Sequence, residues 1–510
     1  MRRPVAGVLS LLAAASIACA QTCVSSGVSV AAEGGRLGDP WRVDVHAGPL
    51  LVGVLGLDLA PGPVVTPIGT ICLGLTPALQ LHTLFFDAAG TASLGGVMPV
   101  NLAFVGYEIS AAAVSIDPSQ PNGLGLSNGD SFRVRQGRFW FVDPGTATPF
   151  GSTPAQIAAS NVVTDDVVFA QPLTTTVRDA VTMRERGWLV LLLGNGSLAA
   201  YDGTSATPAW TATLTGAAAQ ATRMLAPPGG DTLVLLAYGT PASPFGAGTP
   251  GSVHVVSVPG GAVASVALSA GNPDAMVLVP GTSIVMLRLP NAVVPFVYEA
   301  PLLLPAIGLP AGFGAPVDWQ VGIGSLLYVL HAGQAPSPFS GALPAAITVV
   351  DVSALSVMTT MQLSMAPPVE FLRAGPGSSG PALYVYGAAA ATLEEFGQVT
   401  LTPVASIAAG SGITAMELSS LGTQWLVLCS GPGCGGPALF GLGVGTTALA
   451  PLASLSGTPA NALAVSPSVL FGKACTAVGS VATPFGTDPF AAASSAVLPI
   501  SSMALRIVVD

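Results

Sequence analysis

Charge is scarce in this 510-residue chain: Asp, Glu, Lys and Arg together make up 8% of it, against about a quarter in average proteins. Lys and Arg number 15 and form no basic run, and the net charge is −10. That balance excludes a nucleic-acid footprint and argues against an anionic membrane surface. The four histidines, His46, His82, His254 and His331, show no H-x-x-H or H-x-x-x-H spacing, so no zinc motif is written in the chain. Aromatics at 6% leave little for the two girdles of an outer-membrane barrel. Beyond the N-terminus no uninterrupted apolar run reaches the ~18 residues of a membrane-spanning helix. The uncharged stretch 59 to 81 carries four prolines and three glycines, which suit strands and loops. No transmembrane segment is therefore expected in the mature chain. No G-x-S-x-G elbow, P-loop or dinucleotide fingerprint occurs.

What the chain has in abundance is turn formers: 62 glycines and 45 prolines in an apolar background of small residues. An interior proline costs a helix about 3 kcal/mol and a glycine up to about 1. Short strands joined by turns remain, and the expected fold class is all-β.

The first twenty residues, MRRPVAGVLSLLAAASIACA, combine Arg2 and Arg3, an apolar core and Ala18-Cys19-Ala20. They read as a secretory signal peptide, 1–20. Lipidation at Cys19 is the alternative. A secreted or cell-envelope location permits disulfides. CSGPGC sets Cys429 and Cys434 across a Gly/Pro turn where a bridge closes a hairpin, Cys23 and Cys72 are candidates for a second staple, and Cys475 is left over as a buried, inert thiol.

A repeat near 47 residues organises the rest. Its openings read RDAVTM, TRMLAP, PDAMVLV, VDWQVG, VEFLRA, ITAMEL, ANALAV and SMALRI. Their second residues are Asp179, Arg223, Asp274, Asp318, Glu370, Thr414, Asn461 and Met503, at steps of 44, 51, 44, 52, 44, 47 and 42. A Pro-Phe tag at Phe150, Phe245, Phe339 and Phe485 recurs in multiples of the same period. Within one repeat, ITVVDVSALSVMTTMQL supplies the third and fourth strands. Four-stranded units of this length stack radially as propeller blades, because one small sheet cannot bury both apolar faces. The last opening lacks followers, whereas RFWFVD and the strands after it lack a first strand. The C-terminal strand, Met503 to Val509, is expected to close the ring as the innermost strand of blade one. That gives eight blades, and seven with 138–176 as a connector is the alternative.

Residues 21–136 carry short strands with Gly, Pro and DAAG turns, expected to form a β-sandwich domain ahead of a 137–510 β-propeller domain. The stretch DPSQPNGLGLSNGD reads as two polar turns. Through ITVVDV, LYVY and ANALAVSPSVLFG, residues 138–510 resemble the YVTN and lactonase-like family of secreted bacterial propellers. Tyr328-Val329 and Tyr384-Val385 lack the Thr-Asn that follows in that family. DAAGTASL and LSNGDSFRVR resemble a small sandwich appended to secreted bacterial proteins, which implies a structural or attachment module.

The second position of the openings holds four acids. With Arg223, Thr414 and Asn461 they are expected around one channel mouth, and two roles fit them. Each carboxylate can accept hydrogen bonds from the adjacent blade's backbone, or the set can hold Ca²⁺ or a polar ligand through oxygen atoms. The ligand or cation candidates are thus Asp179, Arg223, Asp274, Asp318 and Glu370. No catalytic residue is assigned and no cofactor beyond Ca²⁺ is implied. The expectation is a non-enzymatic exported protein that binds an extracellular ligand or protein. A lactonase-like hydrolase is the alternative, disfavoured by the shortage of His, Lys and Arg near the mouth.

Overall fold

The computed structural model describes the chain except residues 1–24, 38–39, 100–103, 105–106, 121, 136, 149–150, 163–166, 240–248, 270, 338–339, 420, 431–433, 435–436, 456–461, 466–472, 479–480, 488–489, 493–495, 498–505 and 510. The signal-peptide segment, Cys19, Cys23, Asn461, Met503 and the tags at Phe150, Phe245 and Phe339 lie outside the described residues. The chain divides into two compact units, residues 1–136 and 137–510.

The first unit contains β1 (Gly27–Glu33), β2 (Pro40–His46), β3 (Val52–Asp58), β4 (Pro61–Thr66), β5 (Gly69–Leu73), β6 (Gln80–Phe85), β7 (Thr91–Val97), β8 (Glu108–Ile116), β9 (Leu124–Ser127) and β10 (Asp130–Arg133). They form two runs of strands, β6-β3-β8-β9 and β2-β7, joined through β1 into one connected, nearly closed sheet. One eight-stranded sheet runs β6-β3-β8-β9-β1-β2-β7, with β10 also on β8, and β4-β5 is a separate hairpin. β1 makes the join: Gly27 and Val28 pair with β9 and Ser29 to Glu33 with β2, while the nine-residue β8 pairs with β3 along one edge and with β9 and β10 in succession along the other. The sheet's end strands, β6 and β7, follow one another through a turn in which the Asp87 carboxylate accepts from the Ala89 and Thr91 amides at 2.9 and 2.8 Å. The sheet is nearly closed on itself. Alternation sends Val43 and Val45 inward with Leu55, Ala111 and Ala113, all buried. Asp117 holds its own turn, its carboxylate accepting from the Ser119 amide and hydroxyl at 2.9 and 2.6 Å.

The second unit is a β-propeller. Seven sheets are each built from one continuous segment: Val177–Met183 through Trp210–Thr213 (blade two), Ala221–Leu225 through Val263–Ala267 (three), Ala275–Leu278 through Ile307–Gly308 (four), Pro316–Val321 through Ser356–Gln362 (five), Phe371–Gly377 through Pro403–Ala408 (six), Ile413–Leu418 through Ala450–Ser454 (seven) and Ala462–Val465 through Ala496–Val497 (eight). A further sheet is composite. Arg138–Asp143, Gln156–Asn161 and Val167–Pro172 are joined by the C-terminal strand Arg506–Val509, with Phe139 opposite Val509 and Val142 opposite Arg506. Residues 138–172 are thus three strands of blade one rather than a connector.

Packing closes the ring. Separate apolar clusters fill the space between blades one and two (Trp140, Ile157 with Leu189, Leu191), two and three, three and four, four and five, five and six, six and seven, and seven and eight. The last returns from blade eight to blade one, through Ala464 and Cys475 against Phe139 and Phe141. The near-continuous apolar second strands, WLVLLL, TLVLLA and LLYVLH, follow from burial on both faces. The hairpin between Trp188–Leu193 and Ser197–Tyr201 turns at Asn195-Gly196, with Gly196 at φ +78°, a conformation glycine adopts without a Cβ penalty.

Cys429 and Cys434 are disulfide-bonded, with Cα atoms 6.3 Å apart. Cys72 is also disulfide-bonded; its expected partner Cys23 lies outside the described residues. Cys475 is a buried thiol whose Sγ meets the Thr476 carbonyl at 3.5 Å.

Candidate functional site

The first strand of each blade lies nearest the axis, and its opening residues carry the candidate acids. Register separates those acids into two positions. Pairing between first and second strands skips a residue between Val177 and Asp179, Ala221 and Arg223, Pro316 and Asp318, and Ile413 and Ala415. Arg178, Thr222, Val317 and Thr414 therefore occupy a bulge, and Asp179, Arg223 and Asp318 follow it. In blade four the Asp274 amide donates to the Arg288 carbonyl at 2.9 Å, the residue that Ala275 faces. In blade six the Glu370 amide does the same to Tyr386 at 2.9 Å, opposite Phe371. Asp274 and Glu370 thus stand just ahead of the first paired residue, one position earlier than Asp179 and Asp318. The described openings do not form one aligned ring of side chains.

Each of three acids has its own partner. Asp179, 4% exposed, accepts from the Met224 amide of blade three at 2.7 Å. Asp318 accepts from the Leu372 amide of blade six at 2.9 Å. Met224 faces Leu235 and Leu372 faces Val385, which is the same rung of their blades, so the two carboxylates make one repeated blade-to-blade bond. Asp274 forms a two-pronged pair with Arg288 at 2.8 and 3.1 Å. Glu370 and Arg223 are exposed. Among the described residues no group of three or more His, Cys, Asp and Glu is gathered as a metal would require.

The scarce arginines tie blades together. Arg373 of blade six donates Nη1 to Asp318 Oδ2 at 2.9 Å and Nε to the Met416 carbonyl of blade seven at 3.0 Å. Arg178 donates to the carbonyls of Ala219, Ala221 and Gly194 at 2.7, 3.1 and 2.6 Å. Arg288 stacks over Trp319 of blade five at 5.7 Å.

The other ends of the first strands enclose a cavity. It measures about 620 Å³ and is lined by Val181, Thr182, Arg184 and Glu185 of blade two and its following turn, Met224 and Leu225 of blade three, Leu278 of blade four, Glu417 of blade seven, Leu463 and Val465 of blade eight, and Ile507 and Val509 of blade one. First strands from opposite sides of the ring contribute, which identifies the cavity as the channel. Thr182 Oγ1 donates to the Val509 carbonyl at 2.8 Å. Burial pushes the Glu417 carboxyl above its usual range, with the Arg373 guanidinium pulling against that rise. Glu417 stands in the quoted opening ITAMEL but three residues past the position compared across repeats. Its sequence signal is a charge inside an otherwise apolar strand.

The two propeller histidines are inside blades. His254 sits between the hydroxyls of Ser252 and Ser265 at 2.9 and 2.8 Å. His331 contacts the Gly314 carbonyl at 3.2 Å and the Thr348 hydroxyl at 3.0 Å. Burial holds both imidazoles below their ordinary pKa, opposed at His331 by the Gly314 carbonyl.

No family model matches the chain, and no curated protein matches it. Among solved structures, dihydro-heme d1 dehydrogenase NirN in complex with DHE is similar over 64% of this chain and 69% of its own, at 13% identity and a TM-score of 0.46. At that identity no function passes from one chain to the other.

Proposed function

We propose that the chain is an exported, non-enzymatic binding protein whose propeller takes a small cationic ligand with an apolar body in the channel. The observation that carries this reading is Glu417, a carboxylate desolvated by burial in a cavity that sets Val, Leu, Ile and Met side chains beside the polar Thr182, Arg184 and Glu185. A ligand ammonium restores what burial takes from the carboxylate, and the surrounding Val, Leu, Ile and Met side chains accept its chain. Arg373, whose guanidinium acts on this carboxylate, already shares its donors among Asp318 and two carbonyls, and Arg184, a second cation in the lining, is also engaged. Export is supported by the Cys429–Cys434 disulfide and the bonded Cys72, since such bonds persist in oxidising compartments. A histidine-based hydrolase is disfavoured by the placement of His254 and His331 within blades, each held between fixed partners; the lactone assay below tests the cavity carboxylates Glu185 and Glu417.

The test compares hexylamine, hexanol and hexanoate in thermal unfolding of the full chain, beside a hydrolysis assay with γ- and δ-lactones. A rise in melting temperature with hexylamine alone, and no lactone turnover, is the expected result. Equal responses to all three, or turnover above the uncatalysed rate, overturns the proposal in favour of a nonspecific cavity or a lactonase-like hydrolase.

A further inference from the structure

A second cavity lies wholly within the first unit, at one end of its nearly closed sheet. Its volume is about 580 Å³, within the range of roughly 300–1,000 Å³ common for small-molecule sites. The walls come from strand ends: Trp41 on β2, Leu57 on β3, Gly96 on β7, Ile109 on β8 and Phe132 on β10. These positions continue the inward rows that deeper in the sheet are filled by Val43, Leu55 and Ala111. An eight-stranded closed sheet has room for its own side chains or one small ligand, and here the filling stops short of the rim.

The mouth is shaped for an aromatic wall. Gly96 pairs with Trp41 across the β2–β7 ladder, and a Cβ on Gly96 would stand 3.2 Å from the indole Nε1 and 3.4 Å from Cε2. The glycine lets the indole lie against β7, and Phe132 flanks it with ring centroids 6.1 Å apart. Asp58, the one acid among the described lining residues, is committed elsewhere, accepting from the amides of Leu59 and Thr76 at 2.7 Å each. Tyr107 and Gln80 are exposed at the rim and carry polar groups beside the apolar interior.

We propose that this end of the first unit is a receptacle for one small apolar molecule with a single hydrogen-bonding end, its body against Trp41 and Phe132 and its polar end at the Tyr107–Gln80 rim. A charged ligand does not fit, because the described lining holds no charged side chain besides the engaged Asp58.

Trp41 is the one tryptophan among residues 1–136 and so reports on the site. The full chain is titrated with N-phenyl-1-naphthylamine, a neutral dye, and dodecanol is the competitor. Expected are saturable dye emission sensitised by indole excitation, loss of most of that sensitisation in Trp41→Phe, displacement by dodecanol, and at least tenfold weaker binding in Ala78→Trp, which plugs the lining from an exposed position. Absence of saturable binding overturns the proposal. So does binding that survives Ala78→Trp but is lost in Phe85→Ser, since Phe85 is 75% exposed on the outer face of β6. If Ala78→Trp melts below the parent protein, the Trp41→Phe sensitisation decides: unchanged energy transfer rejects the site.

Discussion

Asp179 and Asp274 carry the same side chain near the start of a first strand, yet their surroundings predict opposite responses to substitution. Asp179 is buried and answers the Met224 amide at 2.7 Å, so Asp179→Ala leaves a buried donor unsatisfied and costs about 1–3 kcal/mol. Asp318→Ala, which strips both the Leu372 amide and Arg373, falls in the same range. Asp274 is 52% exposed on its side chain, and Asp274→Ala stays within about 1 kcal/mol. Chemical denaturation of the three variants checks the ordering. Stabilisation in all three would instead reveal a mutually repelling ring. Of the chain's 15 basic residues 14 are arginine, and the ties made by Arg178, Arg288 and Arg373 use the planar, multi-donor fork that lysine lacks.

At the scale of elements, the C-terminal strand Arg506–Val509 completes blade one through its ladder with Phe139–Val142 and its contact with Thr182. Deleting residues 502–510 removes the cover that Ile507 and Val509 give to Phe139 and Phe141. A loss of roughly 3–5 kcal/mol is expected from the exposed apolar area and lost hydrogen bonds, read as a lower melting temperature; an unchanged melt rejects closure through this strand. This closure was legible in the sequence because SMALRI lacks followers and RFWFVD lacks a first strand. The acid positions were not legible, because a one-residue bulge recurs in blades two, three, five and seven, and alignment by residue type slides across it. Period-two alternation likewise serves a sandwich and a curled sheet equally, so the join through β1, shared between β9 and β2, is visible only in the pairing. The Asn195-Gly196 hairpin differs in that its signal is local, an Asn-Gly pair between two apolar runs.

At the scale of the molecule, few titrating groups govern stability near neutral pH. Buried His254 and His331 resist protonation when folded, whereas an unfolded imidazole takes a proton below about pH 6.5. The unfolded state then binds more protons, so their contribution is present above pH 6.5 and is lost as pH falls below it. Melting temperature should drop between pH 7.5 and 5.5, and the drop should shrink in a His254→Gln, His331→Gln variant. The Glu417 carboxyl moves the other way, its raised pKa favouring the protonated folded form as pH falls.

That carboxylate is also where the account of function is most exposed to test. Calorimetric titration of hexylamine into the full chain and into Glu417→Gln, at pH 8 and pH 5, measures the channel site directly. The account predicts saturable one-site binding at pH 8, weakened as pH falls toward the raised Glu417 pKa, and at least tenfold weaker in Glu417→Gln at pH 8. Equal affinity of parent and variant, or no binding by the parent, would contradict it.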